Sequence, residues 1–382
     1  MTWNINDRGF LPPQDPIETI VTQNPNYASL EATLENLSVT LPSLVEERRV
    51  REELVAQLRN VAGKYDELWA IHNGDAWAER VMLLYSYFAS AYLYAKHENP
   101  ATRIPKEIAI PLNSIAKRVG RPPILSYASY CLTNWRRIDP NKPIELGNIE
   151  LLQNFSQEAK RDEDWFILVH VDIEAKAADA VNAIDHSKYI FTEDGFDNFS
   201  LYRMFERIIK SLQGMNATLA RMPEQCSPDV YYRLVRPYIF GFKGVEYEGV
   251  GNLTLRGETG AQSSIVPMLL IALGIKHKES LLTVHLDDMR NYMPPKHRAF
   301  LENLAERMTN NSLREAVLNK VPGYREAYNE CVNQLMIFRS MHFEYAVNYI
   351  AKKVDNPEGT GGTPYIPWLQ QLKDETWAHL LP

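Results

Sequence analysis

Cysteine is scarce in this chain. Cys131, Cys226 and Cys331 are spread over 382 residues without a CxxC pair. That excludes a disulfide scaffold and a cysteine-based zinc cluster, and it fits a reducing cytoplasm. Long apolar runs are also missing. The richest stretch, VMLLYSYFASAYLYA at 81–95, is too short and too hydroxyl-rich to span a bilayer. The first residues, MTWNINDRGFLPPQDP, lack the basic start and apolar run of a secretory signal. Positive charge is not in excess. A net charge of −7 argues against nucleic acid or an anionic membrane as the main partner. Strand-like alternation is rare, and only YIFGFKGVEYEGV (238–250) offers a short hairpin. Nucleotide signatures fail too. The glycine-rich stretch at 249–264 has no GK[ST], and its GVGNLT lacks the third glycine of the dinucleotide fingerprint.

What is present is helical periodicity in a chain of ordinary composition, 45% apolar and 23% charged. Residues 1–42 are rich in Pro and Asn and read mostly as loop, followed by an amphipathic helix from about 43. A more buried helix is expected over 75–97, then a proline-bearing crossover at 99–111. Helices follow at roughly 111–119, 122–136, 163–184, 196–221, 228–237, 263–275, 280–292, 295–308, 311–319 and 322–353. The fold class is therefore all-α. A small, mostly helical amino-terminal domain (1–110) precedes a large helical domain (111–382).

The long helix at 322–353 poses the functional question. Tyr328, Cys331, Val332, Leu335, Phe338, Tyr345, Ala346 and Tyr349 recur every three or four residues, and His342 falls on the same face. An inward histidine is either a core residue satisfied by one hydrogen bond or a metal or haem ligand. Two glycine-rich stretches, GVGNLTLRGETGAQSS (249–264) and EGTGGTPYIPW (358–368), are either linkers or backbone that approaches a ligand closely.

Taken together, PPILSYASYCLTNWRRIDPNKP (122–143), YYRLVRPYIFGFKG (231–244), ETGAQSS (258–264), DMRNYMPPKHRAFL (288–301), RSMH (339–342) and EGTGGTPY (358–365) resemble the indoleamine 2,3-dioxygenase family. The resemblance implies a b-type haem in the large domain, with His342 as the proximal iron ligand and Arg339 reaching a haem propionate. Its substrate would be L-tryptophan or a close indole derivative, with dioxygen as co-substrate and N-formylkynurenine as product. The electron donor that reduces the iron stays unidentified. Arg236 matches the arginine that pairs the substrate carboxylate. Tyr127, Tyr130, Phe166, Tyr231 and Tyr232 match pocket walls, the last two replacing a common Phe-Phe pair. Thr259 and Gly260 match close-approach positions over haem and substrate, and Thr360 in the GTGGT run matches a lid contact to the ammonium.

Two departures from the family pattern stand out. In DEDWFILVHVDIEAKAA (162–178), His170 takes the distal position where many members carry serine, although a slip of one residue would put Val169 there. A distal histidine accepts the indole N–H or hydrogen-bonds iron-bound dioxygen; the alternative is a histidine on the polar back of the helix. Leu270 stands where mammalian relatives place an aspartate near the arginine matching Arg339. Other readings of the same residues are a haem enzyme that mono-oxygenates or rearranges a tryptophan derivative, and a haem-binding protein without catalysis.

Overall fold

The computed structural model describes residues 3–21, 24–64, 74–189, 191–192, 195–309, 312–319, 321–353 and 365–382. Among them helix dominates, so the all-α expectation holds. The helices are α1 (Ala28–Glu46), α2 (Val55–Arg59), α3 (Gly74–Leu93), α4 (Lys106–Val119), α5 (Lys160–Asp185) and α6 (Asn198–Leu219), then α7 (Ile265–Leu273), α8 (Leu281–Arg290), α9 (Pro295–Met308), α10 (Leu313–Asn319), α11 (Arg325–Tyr349) and α12 (Tyr365–Trp377). None is long and apolar enough to cross a membrane.

Strands are short. β1 (Arg103–Ile104) pairs in parallel with β6 (Phe242–Tyr247), which pairs antiparallel with β7 (Gly251–Leu255). The expected hairpin is thus present and gains a third strand from the 99–111 crossover. Two further ribbons join β2 (Trp135–Arg137) to β3 (Ile149–Leu151) and β4 (Phe191–Thr192) to β5 (Gly195–Phe196).

Several boundaries move. Residues 28–46 are helix, not loop: Leu30, Leu34, Leu37, Leu41 and Leu44 form one buried stripe at helical spacing. That helix stops where Arg48 turns left-handed (φ 60°), so the charged segment after it starts anew in a π turn at Val50–Leu54. Helix α4 begins at Lys106 and carries Pro111 inside, because Ile108, Leu112, Ile115 and Val119 bury a strong apolar face that outweighs one lost backbone bond. The expected helix at 122–136 shrinks to a π turn at Ala128–Leu132, after which Trp135–Arg137 extend to pair with β3.

Two apolar clusters fill the molecule. The first gathers α1, α3, α4, the 124–135 segment and β6; the second gathers α5, α6, α7, α9 and α11. Residue 110 lies within α4, and the first cluster continues past it to Phe155. A buried ion pair ties the first cluster together. Arg121 donates to both Glu79 oxygens, at 2.8 and 2.5 Å, and the Trp3 indole N–H donates to the same carboxylate at 2.8 Å.

Glycine at 257 has a physical reason. A Cβ there would lie 2.3 Å from the Ile239 carbonyl oxygen and 2.6 Å from the Gly241 nitrogen, and one at Gly241 would lie 2.6 Å from the Leu255 carbonyl oxygen. The chain after Tyr238 and the chain before Glu258 therefore pass backbone to backbone. The close approach foreseen for the 249–264 stretch is, at this point, to protein. Replacing Gly257 with alanine should lower stability by about 2 kcal/mol or more, since neither backbone can yield freely. Urea unfolding midpoints of the two proteins measure it.

Candidate functional site

A cavity of about 640 Å³ lies between α5, α6, α7, α8, α11 and α12, with the 258–263 loop on one side. Its wall is mostly apolar. This size and character suit a ligand pocket, for which roughly 300–1,000 Å³ is usual.

Helix α5 presents Phe166, His170 and Ile173 to the cavity, one helical face at spacings of four and three. Val169 points into the second core and is fully buried, while His170 lines the cavity. Helix α11 presents Phe338, His342, Tyr345 and Tyr349, while Tyr328, Cys331, Val332 and Leu335 pack into the core. Two histidines from different helices therefore face one cavity.

Their protonation follows from burial. His342 lines the cavity and is exposed, yet the dense protein around it pushes its pKa down to about 4, with the charges of His170 and Arg339 adding to the effect. His170 is also pushed down by burial, partly offset by its bond to Phe166. Its Nδ1 lies 2.7 Å from the Phe166 carbonyl oxygen. A carbonyl only accepts, so Nδ1 carries the proton and Nε2 keeps a lone pair.

The loop brings Thr259 and Gly260 to the cavity, as expected, and with them Glu258, which burial alone pushes up to about 8. Tyr127 and Tyr231 also line it. Tyr130 does not. Its ring supports Phe166 from behind at 6.4 Å, and its hydroxyl turns to the buried Glu163, 3.5 Å away. Tyr232 stands back too, its ring beside the Arg236 guanidinium at 5.6 Å. Arg236 is buried between that ring and Phe240 at 4.7 Å. Its charge reaches Tyr231 and Tyr365, which do line the cavity. The sharp entry into this segment comes from a π turn at Tyr231–Val235 followed by a 3-10 turn at Arg236–Ile239. Thr360 and the GTGGT run lie outside the described residues.

Arg339 lines the cavity one turn before His342, but it is bound to protein. It donates to the Leu372 carbonyl at 2.6 Å, to the Thr376 hydroxyl, and to His277 Nε2 at 3.2 Å. His277 Nδ1 in turn donates to Glu375 at 2.7 Å. Arg339 thus docks α12, a helix not foreseen, whose Tyr365, Trp368, Leu369 and Leu372 complete the wall. Leu270 is apolar lining, so no carboxylate stands at that position.

The sequence model of the indoleamine 2,3-dioxygenase family matches residues 2–357. The chain belongs to the indoleamine 2,3-dioxygenase family. Among its relatives, indoleamine 2,3-dioxygenase 1 of Rattus norvegicus is 32% identical over 369 residues, 89% of this chain and 87% of that protein. Indoleamine 2,3-dioxygenase 2 of Mus musculus is 30% identical, covering 98% of this chain and 93% of that protein. A protein named myoglobin from Haliotis madaka is 31% identical over 75% of this chain and 77% of its own length. The family is one of haem-dependent dioxygenases, and the chain is an oxidoreductase.

The buried carboxyls make stability depend on pH. Burial pushes Glu163 and Glu258 up to about 8 and Glu174 to about 7, above the ordinary 4.5. Between pH 6.5 and 8 the unfolded chain has already released these protons while the folded chain still holds them, so stability falls as pH rises. The histidines with lowered pKa act below this window, where stability falls as pH drops. Urea midpoints at pH 6.5 and 8 should show the loss, and Glu163→Gln should reduce it.

Proposed function

We propose that this protein inserts both atoms of dioxygen across the indole C2–C3 bond of L-tryptophan, or a close indole derivative, to give N-formylkynurenine. The observation that carries the reading is the pair His342 and His170, facing one apolar cavity from two helices. The residues present fit a b-type haem. A neutral imidazole is the form that ligates iron, and the cavity walls are apolar. His342 would hold the iron, with Thr259, Gly260 and Arg339 lining the same cavity. The haem iron, when bound, supplies the activation of dioxygen.

The chain's own residues supply binding and orientation. Tyr127, Phe166 and Tyr231 offer flat faces to an indole. Arg236 is the cation for the carboxylate, reached past Tyr231 and Tyr365; Thr360 is proposed for the ammonium. Tyr130 and Tyr232 act from behind this wall. His170 Nε2, a lone-pair acceptor, would take the indole N–H and fix the ring's orientation in the cavity. While neutral it has no proton to give dioxygen. Enclosure by α12 and the 258–263 loop keeps water from the reacting atoms. The small amino-terminal unit proposed for residues 1–110 has no part in this set.

Replacing His342 with alanine should abolish the Soret band of stoichiometric haem in the purified protein. A variant that keeps band and activity refutes the ligand assignment. For His170, 1-methyl-L-tryptophan lacks the N–H and should bind about tenfold or more weakly than L-tryptophan, a gap that His170→Leu should close. Equal gaps in both proteins would remove His170 from the indole site.

The Haliotis madaka relative, named a myoglobin, favours a second reading: a haem protein that holds dioxygen without turnover. Adding oxygen to the reduced, tryptophan-loaded protein decides between them. Product 32 mass units above tryptophan, the mass of one O2 (roughly 2 × 16 by the proposed insertion), supports the dioxygenase. A stable oxygenated spectrum with no product supports the carrier.

A further inference from the structure

Glu174 lies one turn beyond His170 on α5 and is buried, 1% exposed. Its Oε1 accepts from two hydroxyls that belong to different parts of the cavity wall: Tyr127 at 3.0 Å and Ser263 at 2.7 Å. The same two parts are joined a second time, where the Tyr127 N–H donates to Gln262 Oε1 at 2.9 Å. Gln262 also donates to the Gly257 carbonyl at 2.9 Å, which ties the start of the loop to its end. Tyr127 further meets the His170 ring edge-on at 6.0 Å. One carboxyl oxygen is therefore the junction of α5, the Tyr127 wall and the loop that carries Thr259 and Gly260.

We propose that Glu174 is a positioning residue for the substrate side of the cavity, its Oε1 setting the Tyr127 wall and the 258–263 loop at the spacing the substrate needs. The inference rests on the reading of this cavity as the substrate site. Glu174 touches the substrate only through Tyr127 and Ser263, so its effect falls on binding and orientation.

The junction works with the carboxyl uncharged. Oε2 is buried and has no hydrogen-bond partner among the described residues. The titratable groups around it are Tyr127 and Cys131 from the turn before α5, Glu258 from the loop and His170 on its own helix. None is a cation at neutral pH, and no lysine or arginine is recorded against Glu174 among the described residues. Burial accordingly raises its pKa to about 7, against the two hydroxyl bonds that lower it. Ionisation would place a charge at the junction with one oxygen unsolvated, and the loop would shift to admit water.

The experiment uses the full-length, haem-loaded protein and follows L-tryptophan binding by difference spectrum, with KM and kcat, from pH 6 to 8.5. Wild type should lose tryptophan affinity above pH 7 while its Soret band stays constant. Glu174→Gln keeps an acceptor at Oε1 and cannot ionise; its affinity should match wild type at pH 6 and stay level to pH 8.5. Glu174→Ala should raise KM by about tenfold or more, with a smaller effect on kcat, as two buried donors lose their acceptor. If that variant fails to fold, Ser263→Ala removes one arm of the junction and should raise KM severalfold by itself. A Glu174→Gln profile that falls with pH like the wild type overturns the proposal, as does an unchanged KM in both Glu174→Ala and Ser263→Ala. Failure of the substrate reading looks different: no spectral response to L-tryptophan in wild type at any pH.

Discussion

The site depends on keeping one imidazole neutral. A histidine in water is partly protonated near neutrality and then has no lone pair for a metal at Nε2. The dense protein around His342, with the nearby positive potential of His170 and Arg339, lowers its pKa to about 4 and keeps it neutral into the acid range. Helix α11 delivers this because its two faces do different work. Tyr328, Cys331, Val332 and Leu335 lock it into the second core, and Phe338, His342 and Tyr345 line the cavity beyond. The position of His342 is fixed because the helix that carries it is anchored in the core.

The opposite wall is built on the same plan with a different outcome. Helix α5 holds Val169 in the core and turns His170 to the cavity, and the Phe166 carbonyl decides which nitrogen carries the proton. The backbone thus sets the chemical character of that wall. It offers an acceptor where serine, common in the family, offers both a donor and an acceptor. Around both walls, the buried carboxyls of Glu163 and Glu174 accept from hydroxyls, and Glu163 also from the Phe155 backbone N–H. Polar architecture of this type is stable while protonated and becomes costly as it ionises.

Much of this was legible in the sequence, for identifiable reasons. Helices α5, α9 and α11 carry long apolar periods, so their existence and their inward faces were readable, His342 with them. The short motifs placed Tyr127, Phe166, Tyr231, Thr259 and Gly260 at the cavity. What escaped depends on partners far apart in the chain. The Arg339 guanidinium is engaged by Leu372, Thr376 and His277, none of which a local pattern connects to it. Tyr130 is drawn off by Glu163, and nothing about a tyrosine in SYASYCL shows that. Helix α1 was missed although its leucines recur at helical spacing, because Pro, Asn and Thr in the first 42 residues outweighed them. No local pattern marks Glu174; its junction forms only when three segments meet.

The docking of α12 has a consequence for how the holoprotein assembles. The helix supplies Trp368, Leu369 and Leu372 to the cavity wall, and its attachment runs through Arg339, three residues from the proposed axial ligand. Filling of the cavity and seating of this helix are then linked equilibria: each stabilises the other. When the cavity is unfilled, the fraction of chains with a loosely seated α12 rises, and quality-control proteases would meet that helix more often. Cofactor supply would then set how long the polypeptide survives as well as how much of it is active.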